Sequence, residues 1–179
     1  MKHIYSLLAS IIILISVAMS ATAQRSSTPI TRTILGCVLG KSTIEEVKAK
    51  MVEVGAEIKK QDHPSEWEAS LAVESVPFAQ SKVSVLFTFC NGKLSSYSAL
   101  FFNKADADRV NLGLMKKYEK GESLENLDYE GFRVTDQNTE LVHLFVYSED
   151  YKKKFKYSVL SYRDIALNKK LDRLKASDL

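Results

Sequence analysis

Two stretches of the chain alternate between apolar and polar residues with the period of a β-strand. Apolar side chains occupy every second position from Trp67 to Val73, and again from Val83 to Phe89. Such alternation is typical of a strand that buries one side against a core. The sequence therefore predicts two strands here, each with one row of side chains turned towards the interior.

A tight turn follows the second stretch. Asn91 and Gly92 both tolerate the positive φ angles that a two-residue hairpin turn requires. We therefore predict a hairpin whose return strand runs from Lys93 to about Phe102. Its register would place Cys90 opposite Lys93, Phe89 opposite Leu94 and Phe87 opposite Ser96.

A helical pattern precedes these strands. Apolar residues three or four positions apart form one stripe, made of Ile44, Val47, Met51 and Val54. Ser42 and Glu45 have the spacing of a capping box, which predicts that the helix begins there. Gly55 is suited to end the helix in a left-handed conformation.

The same order of elements then repeats. Asn103 precedes a predicted helix over 104–120, and strands are predicted at 132–134, 141–147 and 155–162, before Asp164 caps a short C-terminal helix. We therefore predict a first αβββ half over 34–102 and a second αβββ half over 103–179, which includes the C-terminal helix. Each half is too short for a core of its own. We expect an α+β fold whose halves share one antiparallel sheet, with the helices on one face.

The first 23 residues have the pattern of an export signal that is cleaved. Lys2 supplies a basic start, Ile4–Met19 is mostly apolar, and small residues stand at the two positions that signal peptidase reads before Gln24. The apolar run is shorter than the roughly 20 residues that span a bilayer, although an uncleaved anchor is the alternative. We expect cleavage after Ala23, a flexible lead-in over 24–33, and a periplasmic or secreted protein without a stable membrane span.

Charge gives no reason to expect a nucleic-acid partner. The chain has 25 Lys and Arg residues and 22 Asp and Glu residues. Loss of Lys2 with the signal leaves 24 against 22, a net charge of +2. Nucleic-acid binding depends on a concentrated basic surface, which this balance does not indicate.

Two cysteines, Cys37 and Cys90, remain after removal of the signal. An oxidising compartment would permit a disulfide between them. Two buried thiols are the alternative, because a free cysteine behaves as a small apolar residue. The sequence leaves both possibilities open.

The sequence contains no recognised catalytic or metal-binding motif. A G-x-S-x-G elbow, a P-loop and a G-x-G-x-x-G loop are all missing. Only His63 and His143 remain outside the signal, whereas a metal site usually needs three or more converging ligands. We therefore predict no cofactor, no metal and no catalytic residue. His143 is expected to lie in a strand against aromatic rings, and a Cys37–His143 pair is the catalytic alternative.

Aromatic residues on the predicted strands are the remaining indication of function. Tyr97 and Phe101 share a strand face opposite Leu94 and Leu100. We predict that both point outward and serve as binding residues, a role that suits tyrosine and other large aromatics. The alternative is that they fill the core beneath the helices.

A resemblance to known families rests on a short motif and on the order of elements. The motif is Leu35-Gly36-x-x-Leu39-Gly40-x-Ser42-x-x-Glu45-x-Val47, followed by a helix, an Asn-Gly hairpin and a second helix that ends in Lys117-Tyr118-x-x-Gly121. It resembles secreted proteins of the β-lactamase-inhibitor-like fold. It is also similar to the BamE/SmpA-type lipoprotein of the outer-membrane β-barrel assembly machinery, although this chain lacks the lipid-attachment cysteine.

The whole chain is similar in style to uncharacterised exported proteins of Bacteroides-type bacteria. In these groups the implied role is contact with other proteins rather than catalysis. The expected function is therefore that of a non-enzymatic exported protein-binding module, with an unknown envelope or secreted protein as its partner. A secreted hydrolase of unrecognised type is the alternative.

Overall fold

The computed structural model describes residues 28–78, 80–118, 121–148 and 154–177. The predicted signal over 1–23, its cleavage site and the first part of the lead-in lie outside the described residues. The helices of these ranges are α1 (Ile44–Glu53), α2 (Lys104–Lys117) and α3 (Ile165–Ser177).

The strands form one small and one large antiparallel sheet. The small sheet pairs β1 (Thr33–Ile34) with β2 (Cys37–Val38). The large sheet has eight strands, which are β3 (Glu57–Asp62), β4 (Glu68–Phe78), β5 (Ser81–Cys90), β6 (Lys93–Phe101), β7 (Glu122–Glu125), β8 (Tyr129–Thr135), β9 (Thr139–Tyr147) and β10 (Phe155–Asp164).

The order of strands joins the two halves of the chain at the centre of the large sheet. This order is β3-β4-β5-β6-β10-β9-β8-β7. Strands β3 to β6 follow α1 and strands β7 to β10 follow α2, and the halves meet where β6 pairs with β10. The predicted α+β class, with one shared antiparallel sheet and a short C-terminal helix, is confirmed.

Each half contributes four strands to the large sheet rather than the predicted three. The additional strands, β3 and β7, are the two edges of the sheet. The sequence pattern predicts no strand over Glu57–Asp62, where the structure has β3. Most residues of β3 are exposed on both sides, so this strand lacks the alternation that identifies a half-buried strand.

Helices α1 and α2 cover one face of the large sheet, which we call the first face. Val47 and Met51 of α1 and Ala107 of α2 are fully buried there. They belong to one apolar core with the inward side chains of the sheet, including Phe87 and Phe89 of β5. This core unites the two halves, as expected for units too small to fold alone.

The first helix begins one residue later than the sequence predicts. Thr43 is the N-cap, and its hydroxyl accepts a hydrogen bond from the N–H of Glu46 while the Glu46 carboxylate accepts from the N–H of Thr43. Ser42 instead accepts a hydrogen bond from the N–H of Val38 at 3.0 Å. Its hydroxyl therefore closes the preceding turn, and Thr43 and Glu46 form the capping box in place of Ser42 and Glu45.

The predicted hairpin is present, but its register shifts near the turn. Cys90 pairs with Lys93 and Phe89 with Leu94 as predicted, whereas Phe87 pairs with Tyr97 instead of Ser96. A β-bulge at Ser95 causes the shift, and the Ser95 hydroxyl donates to the Thr88 carbonyl at 3.0 Å. An extra residue in one strand reverses which side the later residues face.

Helix α3 crosses one end of the opposite face of the sheet, which we call the second face. Asp164 caps it, because its carboxylate accepts a hydrogen bond from the N–H of Leu167. Lys175 then pairs with Glu68 of β4 at 2.9 Å, and Asn168 donates to the carbonyl of Ser95 at 2.8 Å. Within the described ranges, no helix has the length and apolarity needed to cross a membrane.

Candidate functional site

The predicted binding residues Tyr97 and Phe101 lie inside the core. Tyr97 is 0% exposed and Phe101 is 2% exposed. The Tyr97 ring contacts the rings of Phe87 and Tyr162, with centroids 5.6 Å and 6.1 Å away. The prediction that these two aromatic residues point outward is therefore wrong, and neither can contact a partner in this structure.

The bulge and the placement of the helices explain this correction. Strand β6 carries apolar residues on both faces, so alternation alone does not show which face the helices cover. The bulge at Ser95 also puts Leu94 on the same face as Tyr97, and both belong to the core beneath α1 and α2. Leu100 faces the other way and belongs to a separate apolar cluster.

The two cysteines do not form the possible disulfide. Cys37 and Cys90 are both free and buried. Cys37 belongs to the core on the first face, whereas Cys90 alternates with Phe89 and faces the second. The sheet therefore separates the two sulfur atoms. Burial raises the pKa of Cys37 to about 11, which keeps this thiol protonated at neutral pH and makes it a poor nucleophile.

The second face carries a continuous apolar surface, which we call the outer band. Its buried members are Ala72, Leu86, Leu100, Val142, Leu144, Tyr157 and Val159, and its half-buried members are Leu124, Tyr129 and Val146. The strand register brings these side chains together, since Leu100 pairs with Val159, and Val159 with Leu144. The outer band thus crosses the sheet from β4 to β7.

The dimensions of the outer band follow from sheet geometry. Six interstrand steps of about 4.8 Å give a length of about 29 Å. Its width varies along the sheet, from one member on β6, Leu100, to three on β9, Val142, Leu144 and Val146.

The central side chains of the outer band are buried. Leu100 is 1% exposed, and Leu144 and Val159 are each 2% exposed. Helices α1 and α2 pack on the first face. Helix α3 contacts the second face near Cys90 and Ser95.

A network of paired charges borders the outer band at the end where α3 lies. The Glu140 carboxylate lies 3.2 Å from the guanidinium of Arg133 and 3.8 Å from that of Arg163. The Arg133 guanidinium also lies 3.4 Å from the carboxylate of Glu122. Burial lowers the pKa of Arg163, while the neighbouring Glu140 carboxylate opposes this effect. The band therefore has an apolar centre and a polar border of opposite charges.

A second group of residues that could support catalysis surrounds His143 on the first face. Its Nε2 lies 2.6 Å from the hydroxyl of Ser158, and its Nδ1 lies 3.2 Å from Oδ1 of Asn111 on α2. With Nδ1–H donating to Asn111, Nε2 is free to accept from the Ser158 hydroxyl. A hydroxyl, an imidazole and a third group that orients it are the parts of an activated nucleophile.

The surroundings of His143 favour its neutral form. His143 and Ser158 are both 0% exposed, and the rings of Phe132 and Phe145 pack against the imidazole with centroids 6.2 Å and 4.9 Å away. Burial lowers the pKa of His143 to about 4, and the charge of Asp108 opposes this only in part. His143 is therefore the strand residue against aromatic rings that the sequence indicates.

The described residues hold no group of three or more His, Cys, Asp and Glu side chains placed to bind a metal ion. A cleft of about 320 Å³ lies between α2 and strands β7 and β8, lined by residues that include Asn111, Phe132 and Phe145. These side chains stand between the cleft and His143. The cleft therefore approaches the imidazole without exposing it.

The outer band is a functional candidate that the sequence reasoning missed. The sequence does contain an indication of the outer band, because Leu86, Leu100 and Val142 are apolar at positions where a half-buried strand would be polar. Strands that are apolar at both alternating positions are typical of sheets covered on both faces. No protein-family model, curated protein sequence or solved structure matches this chain. The resemblance to β-lactamase-inhibitor-like and BamE/SmpA-type proteins therefore stays a prediction.

Proposed function

We propose that this protein is a non-enzymatic, exported protein-binding module that engages its partner through the outer band. The observation that carries the proposal is a second apolar cluster, the outer band, on the sheet face opposite α1 and α2. Apolar patches on a sheet face often mark sites of interaction with another protein. A partner protein would lie against this face in the mature protein.

The composition of the second face suits a protein partner. Interfaces have an apolar centre, few charges in that centre and a polar rim. The outer band supplies the centre with Leu86, Leu100 and Leu144, and Tyr157 adds a large amphipathic ring. The buried ion pair of Arg133 and Glu140 lies beside this centre.

The proposed compartment rests on the sequence of the first 23 residues. An apolar run flanked by a basic start and small residues is the pattern of a secretory signal. We propose a periplasmic or secreted location with Gln24 as the first residue of the mature chain. Fractionation of the source cells, followed by N-terminal sequencing of the purified protein, tests both statements; an N-terminus at Met1 in the cytoplasmic fraction would refute them.

Capture experiments with matched variants test the binding role. The full chain, tagged at its C-terminus and produced in its source cells, is used to recover partners from the envelope. Leu144→Asp places a charge in the outer band and should abolish recovery of a specific partner. Leu112→Asp makes the same chemical change on α2, where the side chain is 60% exposed, and should leave recovery unchanged. Equal recovery by both variants, with near-ultraviolet circular dichroism showing both folded, would refute the binding surface.

The hydrolase alternative gains one specific observation, the hydrogen-bonded chain Ser158–His143–Asn111. A nucleophilic role for Ser158 would require substrate to reach a hydroxyl that is 0% exposed. Turnover of an activated ester such as p-nitrophenyl acetate measures this role directly. Hydrolysis that is lost in Ser158→Ala and kept in Ser161→Ala, a buried serine on the second face, would favour the hydrolase over the binding module.

A further inference from the structure

We propose that α3 is a lid on the second face, which opens as a unit while the rest of the fold stays intact. Opening uncovers Cys90 and the neighbouring hydroxyl groups of Thr88 and Ser96. Thr88 lies two residues after Leu86 of the outer band on the same strand, so the uncovered groups extend the surface beside that band. The opening goes beyond the proposed function and does not depend on it, whereas use of these hydroxyls by a partner rests on that function.

Helix α3 is held by few apolar contacts. Leu171 is its buried residue, at 5% exposed, and it belongs to neither the core on the first face nor the outer band. By contrast, Val47 of α1 is 0% exposed and lies within that core. The other large apolar side chains of α3 are half-buried, namely Ile165, Leu167 and Leu174. Elements with few buried apolar contacts open at the lowest free energy, so α3 should separate before α1 does.

Polar contacts join the later turns of α3 to the sheet. The Asn168 side chain donates to the carbonyl of Ser95 at 2.8 Å. Lys175 lies 2.9 Å from the carboxylate of Glu68, and the Lys175 side chain is 45% exposed. An ion pair with such an exposed member contributes little to stability, and a hydrogen bond lost on opening is replaced by one to water. These contacts therefore position α3 without holding it firmly.

The strand residues that α3 crosses are small and mostly polar. Burial raises the pKa of the Cys90 thiol, and the charge of Lys170 on α3 opposes this effect, which places the helix close to Cys90. Thr88 comes two residues before Cys90 on the same face and pairs with Ser96 of β6. Opening would therefore bring hydroxyl groups into water instead of an apolar core, and this lowers its cost.

The start of α3 supplies the fixed point about which the lid turns. One carboxylate oxygen of Asp164 accepts a hydrogen bond from the N–H of Leu167, and the other pairs with the guanidinium of Arg32. Arg32 also donates to the carbonyls of Leu39 and Asn138, at 2.9 Å and 3.1 Å. The first turn of α3 is thus joined to two other segments of the chain, so the helix stays attached at this end while its later turns move away.

Alkylation of Cys90 reports whether α3 opens. Cys90 is 0% exposed and reacts with iodoacetamide only after the segment above it moves away. The purified full chain is treated at a series of urea concentrations, and peptide mass spectrometry gives the reaction at Cys90 separately from that at Cys37. Near-ultraviolet circular dichroism gives the equilibrium constant for global unfolding, and the fully unfolded chain gives the reaction rate of an accessible thiol.

The expected result is local opening of α3. Without urea, Cys90 should react about 100-fold or more faster than global unfolding alone allows, because α3 opens at a lower free energy than the core. At low urea the rate should change little with concentration, because the opening of one helix exposes little surface. At higher urea the rate should follow global unfolding.

Variants of α3 test whether this helix controls the reaction. Leu171→Asp places a charge in the buried contact and should increase the rate at Cys90 by about tenfold or more. Asn168→Ala removes the hydrogen bond to Ser95 and should increase the rate by about fivefold. Leu112→Asp makes the same chemical change as Leu171→Asp on the exposed side of α2, so this matched control should leave the rate unchanged.

The proposal is overturned if the native chain reacts at Cys90 at the rate set by global unfolding at every urea concentration, a result that needs no variant to fold. It is also overturned if Leu171→Asp and Leu112→Asp change the rate equally. Failure here is distinct from failure of the proposed function, because alkylation involves no partner. Partner capture that is lost in Leu144→Asp keeps the binding role even if α3 stays closed.

Discussion

Protonation of His143 should destabilise the folded protein at acidic pH. The imidazole is 0% exposed and lies between phenylalanine rings, so a positive charge there would lose its hydration. Its hydrogen bonds also fix the neutral form, since Nε2 accepts from Ser158. The perturbation is a fall in pH from 7 to about 4.5, compared between the wild-type chain and His143→Gln, which carries no titratable group at this position.

The magnitude follows from the two pKa values of this imidazole. The unfolded chain takes up a proton near the ordinary value of 6.5, whereas burial lowers the pKa of the folded His143 to about 4. The unfolded state therefore binds more protons between these values, and stability falls as pH decreases from about 6.5 to about 4. At about 1.4 kcal/mol for each tenfold change in proton affinity, the full effect is about 3 kcal/mol. About 2.4 kcal/mol of it should be lost between pH 7 and about pH 4.5.

Urea denaturation at a series of pH values measures this loss. The wild-type free energy of unfolding should fall by about 2 kcal/mol more than that of His143→Gln over the same interval. His63→Gln is the matched control, because His63 is an exposed residue outside the core, and this variant should follow the wild type. The reasoning is refuted if the wild-type and His143→Gln curves run parallel. A nuclear magnetic resonance titration that gives the folded His143 imidazole a pKa near 6.5 would refute it independently.

Three further predictions concern the stability of the fold. Tyr97→Phe should raise the free energy of unfolding by about 1 kcal/mol in urea denaturation, because the buried Tyr97 hydroxyl has no hydrogen-bond partner among the described residues. Tyr97→Ala should lower it by about 3–5 kcal/mol through a cavity, and equal losses in both variants would contradict this. Thr43→Ala should lower it by about 1 kcal/mol through loss of the α1 cap, and an unchanged denaturation midpoint would argue against the cap. Gly131→Ala should lower the thermal midpoint strongly, because a Cβ there would come within 2.0 Å of the His143 carbonyl oxygen. Gly113→Ala in the open middle of α2 should raise stability by about 1 kcal/mol, and effects of the same sign in the two variants would refute the comparison.

Local patterns predicted the elements whose stability is local. The turn at Asn91-Gly92 adopts positive φ at both residues, as the hairpin prediction requires. Asn103 caps α2 through its side chain, and the short C-terminal helix begins after Asp164. Each of these features depends on residues within one turn of one another, so the information lies in adjacent positions of the sequence.

The incorrect predictions concern features that local sequence patterns do not encode. The sequence placed Tyr97 and Phe101 outside because it contains nothing that marks the bulge at Ser95. It left the pairing of Cys37 and Cys90 open because spacing along the chain does not show that a sheet comes between them. The edge strand β3 was missed because an edge strand buries little and carries no alternation.

By itself the sequence determined the class of fold, the central hairpin turn and the caps of α2 and α3. The tertiary structure alone decided which face of the sheet the helices cover, and with it which apolar residues form the core and which form the outer band. The physical reason is that β6, β9 and β10 are apolar on both faces. Alternation shows which residues of such strands share a face, but it does not show which face the helices cover. Only the packing of α1 and α2 against residues distant in the chain distinguishes the two faces.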